Sequence, residues 1–223
     1  VKNDKNGLNL SINKNRKLLL YQSDWNSKKL FIDEEFDEKT LFKAIRILNL
    51  KRNKKRTFVN IGGHLGSIYI PAIKSKYFTN GLIFEPVKKN FKILMSNILI
   101  NDLDGKTKLF NIALSNRKAN LVIEKFTNSG DCRIVKKKTK KNEMVKSDIL
   151  DNYTKKLNRK NSIIFMDVQG HEAKVFMGAR KTLRKKIPIV FEFSPPFLKK
   201  NWISEFNILF KSYKYFYDLN MGN

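Results

Sequence analysis

Phe58-Val-Asn-Ile-Gly-Gly-His-Leu-Gly66, followed by Gly81-Leu-Ile-Phe-Glu-Pro86, restricts the fold more than any other stretch of this chain. A short β-branched and aromatic run passes straight into a glycine-rich turn. An apolar helical stretch follows (Ile68, Ile70, Ala72, Ile73), then a second strand that ends in an acid. Strand, turn, helix, strand, acid is the order in which proteins hold an adenosine-containing ligand. Glycines admit positive φ and let the backbone approach a ligand closely. Glu85 lies 19 residues beyond Gly66, near the roughly 20 residues expected of a carboxylate that accepts both ribose hydroxyls.

Glycine spacing narrows the ligand. The dinucleotide pattern G-x-G-x-x-G would need a glycine where His64 stands, and no second mononucleotide half follows. No Gly-Lys-Ser/Thr closes the turn, so a Walker loop is excluded. A nucleoside without a pyrophosphate remains, and S-adenosylmethionine is the commonest of these. The bland alternative is an ordinary tight connection with an exposed acid at the strand end.

From Thr57 onward strands and helices alternate. Strands are expected at 57–61, 82–85, 108–112, 163–168, 189–193 and 213–219, and helices at 67–77, 87–100, 148–157, 171–185 and 197–211. Strict alternation implies right-handed crossovers and a doubly wound, mainly parallel sheet, so the fold class is α/β over 57–223. Residues 1–56 form a separate N-terminal extension in this reading. Its first 23 residues are an arm or a single added strand, and an amphipathic helix spans 33–50, with Phe36, Leu41, Phe42, Ile45 and Leu48 at helical spacing. An irregular insert, 114–147, is expected to shape the substrate pocket. Within it, Leu121-Val-Ile123 and Met144-Val145 are expected to pair.

The net charge of +26, from 46 Lys and Arg against 20 Asp and Glu, invites a polyanion partner. Two features weigh against nucleic acid. The lysines are spread along a chain equally crowded with Asn, Ile and Phe, as AT-rich codons produce. The dense runs Lys51–Arg56 and Lys136–Lys141 are not interleaved with aromatics. Trp25, Trp202 and the Phe-rich stretch 191–217 read as core packing. The single Cys132 makes no internal disulfide, and no apolar run reaches the roughly 20 residues that span a bilayer. A cytoplasmic protein is the simplest expectation. Two histidines 107 residues apart and one cysteine make no recognisable metal set.

Several blocks together resemble the FkbM-type methyltransferases, a branch of the S-adenosylmethionine-dependent enzymes with a Rossmann-like class I fold. They are Val59–Gly66, Phe84-Glu-Pro86 with Asn90 and Asn97, Ala113-Leu-Ser115, Asn128-Ser-Gly130 and Ile149-Leu-Asp151. Met166-Asp-Val-Gln-Gly-His-Glu172 with Gly178-Ala179, then Pro188-Ile-Val-Phe-Glu192, complete the set. The resemblance implies methyl transfer to a hydroxyl of a saccharide, polyketide or other small molecule. By position it implies that Asn60, Gly62, Gly63, His64 and Gly66 line the methionine and ribose side of the cofactor. Glu85 and Pro86 belong to the ribose, and Ile112–Ser115, with Ala113 and Leu114, to adenine. Asp167 falls beside the transferable methyl group.

The departures from the family pattern are specific. Asn60 and Gln169 stand where acids are usual, His64 replaces Asn, and His171 replaces a small residue. The chain opens on Val1 and closes at Asn223, just after the sixth expected strand, so it reads as a trimmed chain or part of a longer polypeptide.

An alcohol nucleophile needs a base near its oxygen, and general-base help is typically worth about 10²–10⁴-fold. Asp167, His171 and Glu172 are the catalytic candidates. His171 at a helix start is kept neutral by the dipole and suits a base, with Asp167 positioning cofactor or substrate; the reverse assignment stays open. Glu172 serves equally as a first-turn capping acid. A nucleic-acid-directed methyltransferase and an inactive nucleoside-binding module remain alternatives. The first lacks the lysine that a Lys-Asp-Lys-Glu tetrad needs near the end of the first strand.

Overall fold

The computed structural model describes all residues except 1–6, 14–15, 34–37, 136–138, 140–141, 194–201 and 221–223. The expected lysine run 136–141 and the first part of the expected helix 197–211 fall mostly outside the described residues, as does the side chain of Trp202.

The described elements begin with β1 (Leu8–Ile12), β2 (Lys17–Tyr21), α1 (Trp25–Asp33) and α2 (Glu38–Ile47). The central domain follows with β3 (Thr57–Ile61), α3 (Tyr69–Lys74), β4 (Asn80–Phe84), α4 (Lys88–Ile100) and β5 (Thr107–Phe110). Next come the insert strands β6 (Ala113–Leu114), β7 (Ala119–Glu124), β8 (Arg133–Val135) and β9 (Asn142–Asp148). The chain continues through β10 (Ser162–Met166), α5 (Glu172–Met177), α6 (Arg180–Arg184), β11 (Ile189–Phe191) and α7 (Trp202–Ser212).

Strands β11-β10-β3-β4-β5 form one parallel sheet, in register Asn60↔Ile83 and Asn60↔Phe165 at its centre. Pleating sends alternate side chains to opposite faces. Phe58, Ile83, Ile163 and Phe165 therefore enter one core cluster with α4 and the N-terminal elements. Val59, Ile61, Phe84, Ile164 and Met166 enter the other with α5, α6 and α7. Both faces are covered, so these strands are mainly apolar, as a buried parallel sheet requires, with Asn60 a buried polar exception in β3. The α/β, doubly wound reading holds.

The N-terminal residues form a hairpin, not a single strand. Its inner strand β2 docks on α4 through two asparagine side chains. Asn97 Oδ1 accepts from Leu19 N–H (2.6 Å) and its Nδ2 donates to Leu19 O (3.2 Å) and Leu65 O (2.8 Å). Asn101 repeats the pattern one turn later on Lys17 N–H and O. Leu18, Leu20 and Leu30 then enter the same core as the central sheet.

Other expectations need correction. No helix forms over 148–157. Asp148 draws the local donors to itself, accepting from Ile149 N–H, Asn152 Nδ2 and the Tyr153 hydroxyl, and only a 3₁₀ turn at Leu150–Asn152 results. The helix expected at 171–185 breaks into α5 and α6 at Gly178. A Cβ there would lie 2.0 Å from Ser115 O, so the close approach of the two segments admits only glycine. The expected helix 33–50 is borne out by α2 over Glu38–Ile47, with Leu41 and Ile45 buried, and α1 is a further helix before it that was not expected. Trp25 is 57% exposed at the start of α1 and is not core. Residues 213–219 form no strand, and Tyr215, Phe216 and Tyr217 are exposed. The insert, in contrast, pairs as expected, with Leu121 opposite Val145 in antiparallel β7 and β9.

Candidate cofactor and active site

The C-terminal ends of β3, β4, β5 and β10 open onto one cavity of about 1620 Å³. Ligands of such open sheets bind at this edge, where the strand order reverses around β3. Asn60, Gly62, Gly63, His64, Glu85, Pro86, Ala113, Leu114, Asp167 and His171 all line it. Two expected residues do not. Gly66 turns toward Leu94 and Ile70, and Glu172 is buried behind the loop that precedes it.

The turn after β3 is built on backbone. Phe84 O accepts the N–H groups of both Gly62 (3.0 Å) and Gly63 (2.9 Å), which ties the bend to the end of β4. Gly62 has φ +82°, and a Cβ on it would stand 1.8 Å from Asp167 O. Only glycine fits, for conformation and for space.

Glu85 faces this bend. Its Oε2 accepts His64 N–H (2.9 Å) and its Oε1 accepts Val87 N–H (2.9 Å). The side chain is almost fully buried, and burial pushes its carboxyl up to about 7 against the opposing pull of the Val87 and His64 N–H groups. Val87, His64 and the Asn90 side chain take up part of a carboxylate's roughly four lone-pair directions and leave the remainder for a ligand. Beside it, Asn60 Oδ1 is buried and accepts no hydrogen bond within the protein. A buried unpaired acceptor lining a cleft is an unmet demand for a donor.

These residues fit S-adenosylmethionine. Asn60 Oδ1 suits its ammonium group, Glu85 its ribose hydroxyls, and the apolar wall of Ile112, Ala113 and Leu114 its adenine. The carboxylate that an acid at position 60 would supply is replaced by a neutral acceptor.

Deeper in the cleft Gln169, at φ +52°, places its amide between two acids, donating from Nε2 to Asp167 Oδ1 (2.8 Å) and Glu192 Oε2 (3.2 Å). His171 Nε2 lies 2.9 Å from Ser115 Oγ, not on Asp167. Burial drives the His171 ring down to about 4, so it is neutral at ordinary pH. Glu172 Oε1 accepts Gly170 N–H (3.1 Å) and Val168 N–H (3.4 Å) and so clamps the 168–170 loop, the capping role foreseen as its alternative. His64 is also driven down to about 4 by burial, and its Nε2 meets Ser129 Oγ at 2.6 Å. Cys132 packs with the insert's small core, and burial raises its thiol to about 12.

Ser115, Asn26, Ser129 and Asp131 were not among the candidates. Ser115 lay inside the expected adenine stretch, but its contact with a histidine 56 residues away carries no local signal. Among the described residues no helix is long and apolar enough to cross a membrane.

A family model described as the methyltransferase FkbM domain matches residues 60–217. No curated protein matches the chain. Among solved structures, a methyltransferase FkbM from Methylobacillus flagellatus KT is similar at 16% identity and a TM-score of 0.48, over 70% of this chain and 37% of that one. The chain thus spans little more than a third of that relative. M. jannaschii TYW2 in complex with AdoMet matches at 11% identity and a TM-score of 0.44, over 93% and 74% of the two chains. The M. jannaschii tRNA m1G37 methyltransferase matches at 17% and 0.33, over 51% and 33%.

Proposed function

This chain belongs to the FkbM methyltransferase family, and on that premise we propose that it binds S-adenosylmethionine and methylates a hydroxyl of a saccharide or other small molecule. Glu85 is the observation that carries the cofactor reading. It is a buried carboxylate held at the rim of a glycine bend, with both oxygens anchored by backbone and acceptor capacity left over. The bound cofactor supplies a methyl group on a sulfonium, a leaving group that is already activated.

The protein's task is then alignment and proton removal. Asn60 and Glu85 fix the two ends of the nucleoside amino acid. Asp167, steadied by Gln169, orients the acceptor hydroxyl. His171, fixed at Nε2 by Ser115 and neutral because burial lowers its ring to about 4, takes the hydroxyl proton as a weak base. The cavity extends beyond the strand-end cleft to residues such as Ala44, Leu48, Lys186 and Pro188, and an acceptor would enter along this open extension. Phe191, Phe193 and Phe206 line the same cavity and suit an acceptor with an apolar face.

Calorimetric titration with S-adenosylmethionine and with its demethylated product tests the first half. No binding of either at millimolar concentration removes the enzymatic reading. Labelled-methyl transfer to separated saccharide, lipid and RNA fractions tests the second, and label in RNA alone would replace the small-molecule acceptor by a nucleic acid. Asp167→Ala should abolish transfer while cofactor binding persists.

A further inference from the structure

The pose of Glu85 depends on contacts that begin far outside the glycine bend. Glu85 Oε2 accepts the N–H of His64, and His64 Nε2 meets Ser129 Oγ at 2.6 Å. Ser129 N–H donates in turn to Asp24 Oδ1 at 2.6 Å. Every polar atom of Ser129 is engaged, because its carbonyl accepts Asn90 Nδ2 (2.9 Å) and Cys132 Sγ (3.4 Å). Asp24 is buried and equally committed, with Oδ2 accepting Ser27 N–H at 2.8 Å. Next to it, Trp25 N–H donates to Asn128 Oδ1 at 3.2 Å.

These contacts bring two distant segments over one end of the cleft. Asn26 from the N-terminal side and Ser129, Gly130 and Asp131 from the insert all line the cavity. They touch so closely that a Cβ on Gly130 would lie 2.6 Å from Asn26 Nδ2. His64 needs such support, since it holds φ +47°, a left-handed conformation that non-glycine residues adopt at a cost. Released from Ser129, its ring would be buried without a partner, and its backbone N–H would no longer be held against Glu85.

We infer that Asp24 and Ser129 are positioning residues of the nucleoside site: they hold His64, and through its backbone they hold the Glu85 carboxylate. A segment upstream of the family-matched residues is therefore a working part of cofactor binding. The inference rests on the cofactor reading above.

Two readouts test it separately. In the ligand-free protein, the ¹⁵N resonance of His64 Nε2 reports the contact with Ser129, and a chain with two histidines makes assignment simple. Calorimetry with S-adenosylhomocysteine reports affinity. Ser129→Ala and Asp24→Ala should each move the His64 resonance and weaken binding by about tenfold, the size expected from lost preorganisation. Ser129→Thr, which keeps the hydroxyl, should restore both. Combining the two alanine changes should cost no more than the larger single effect, as for residues acting in series. Asn101→Ala, which loosens the N-terminal docking without touching these contacts, should lower Tm and leave affinity unchanged.

A His64 resonance that moves while affinity stays within about twofold overturns the inference, and so does an Asp24→Ala loss that Ser129→Ala does not share. Absence of binding by the parent protein would be a failure of the cofactor reading, and it would take the positioning role with it. The His64 resonance would still show whether the contacts exist.

Discussion

If Glu85 takes the ribose hydroxyls as proposed, cofactor affinity becomes a function of pH. Its carboxyl rises from 4.5 in the unfolded chain to about 7 in the folded protein, chiefly through burial. Between those values the folded state keeps a proton that the unfolded chain has released. This group's contribution to stability is thus present at acid pH and lost as pH rises toward 7. Two ribose hydroxyls need the ionised form as acceptor. At pH 6 only about one molecule in ten has it, so the apparent affinity for S-adenosylhomocysteine should fall about tenfold per pH unit below 7 and level off near 8. His64 and His171, both lowered to about 4, stay neutral across this window and add no slope. Calorimetry at pH 6, 7 and 8.5, in two buffers of different ionisation heat, should record close to one proton released per ligand at the acid end and none at the basic end. Glu85→Gln should flatten the profile. It removes the charge-assisted bonds and, because each oxygen already accepts a backbone N–H, sets an amide donor against one of those donors. A loss of about 10²-fold at pH 8 follows from roughly 1.5–3 kcal/mol per charged hydrogen bond. A wild-type affinity that stays constant from pH 6 to 8.5, or a variant that keeps the wild-type slope, would refute the assignment.

Three further outcomes are expected. Asn97→Ala strands Leu19 N–H, Leu19 O and Leu65 O, and should cost about 3–5 kcal/mol in urea unfolding, less than the sum of three buried groups because Leu19 is half-buried. Gln169→Glu removes the amide between Asp167 and Glu192 and crowds three carboxylates, so Tm should drop at pH 8 and recover on acidification as the cluster takes up a proton. Gly178→Ala forces a methyl group against Ser115 O and should lower stability by about 1–3 kcal/mol, with a change in the His171 ring resonance as Ser115 moves.

What the sequence disclosed follows from how local each signal is. Short β-branched and aromatic runs at β3 and β10 needed no partner to be recognised, and the glycine bend with its strand-end acid announced the cleft. The β7 and β9 pairing was readable because each segment carries a short apolar run, Leu121–Ile123 and Met144-Val145. The Asp148 turn was not, since an apolar pattern compatible with a helix hides the competing side-chain acceptor. The aromatic run 213–219 has strand propensity, but propensity measures the fit to a half-buried surface. Here Tyr215, Phe216 and Tyr217 find none beside the short edge strand β11. His171 was legible as a residue of the site, yet its partner was not. Asp167 is near in sequence, while Ser115 is near in space.

Asn97 and Asn101 sit four residues apart on α4, a rise of about 6.0 Å, while Lys17 and Leu19 sit two apart on β2, a rise of about 6.7 Å. The two repeats nearly match, so a helix can imitate the edge of a sheet for two rungs before the mismatch accumulates. Main-chain groups that would otherwise recruit a foreign strand are thereby occupied. The inner edge of the hairpin, along β2, is closed to edge-to-edge pairing by a pair of amides, at the cost of a clasp that cannot be lengthened.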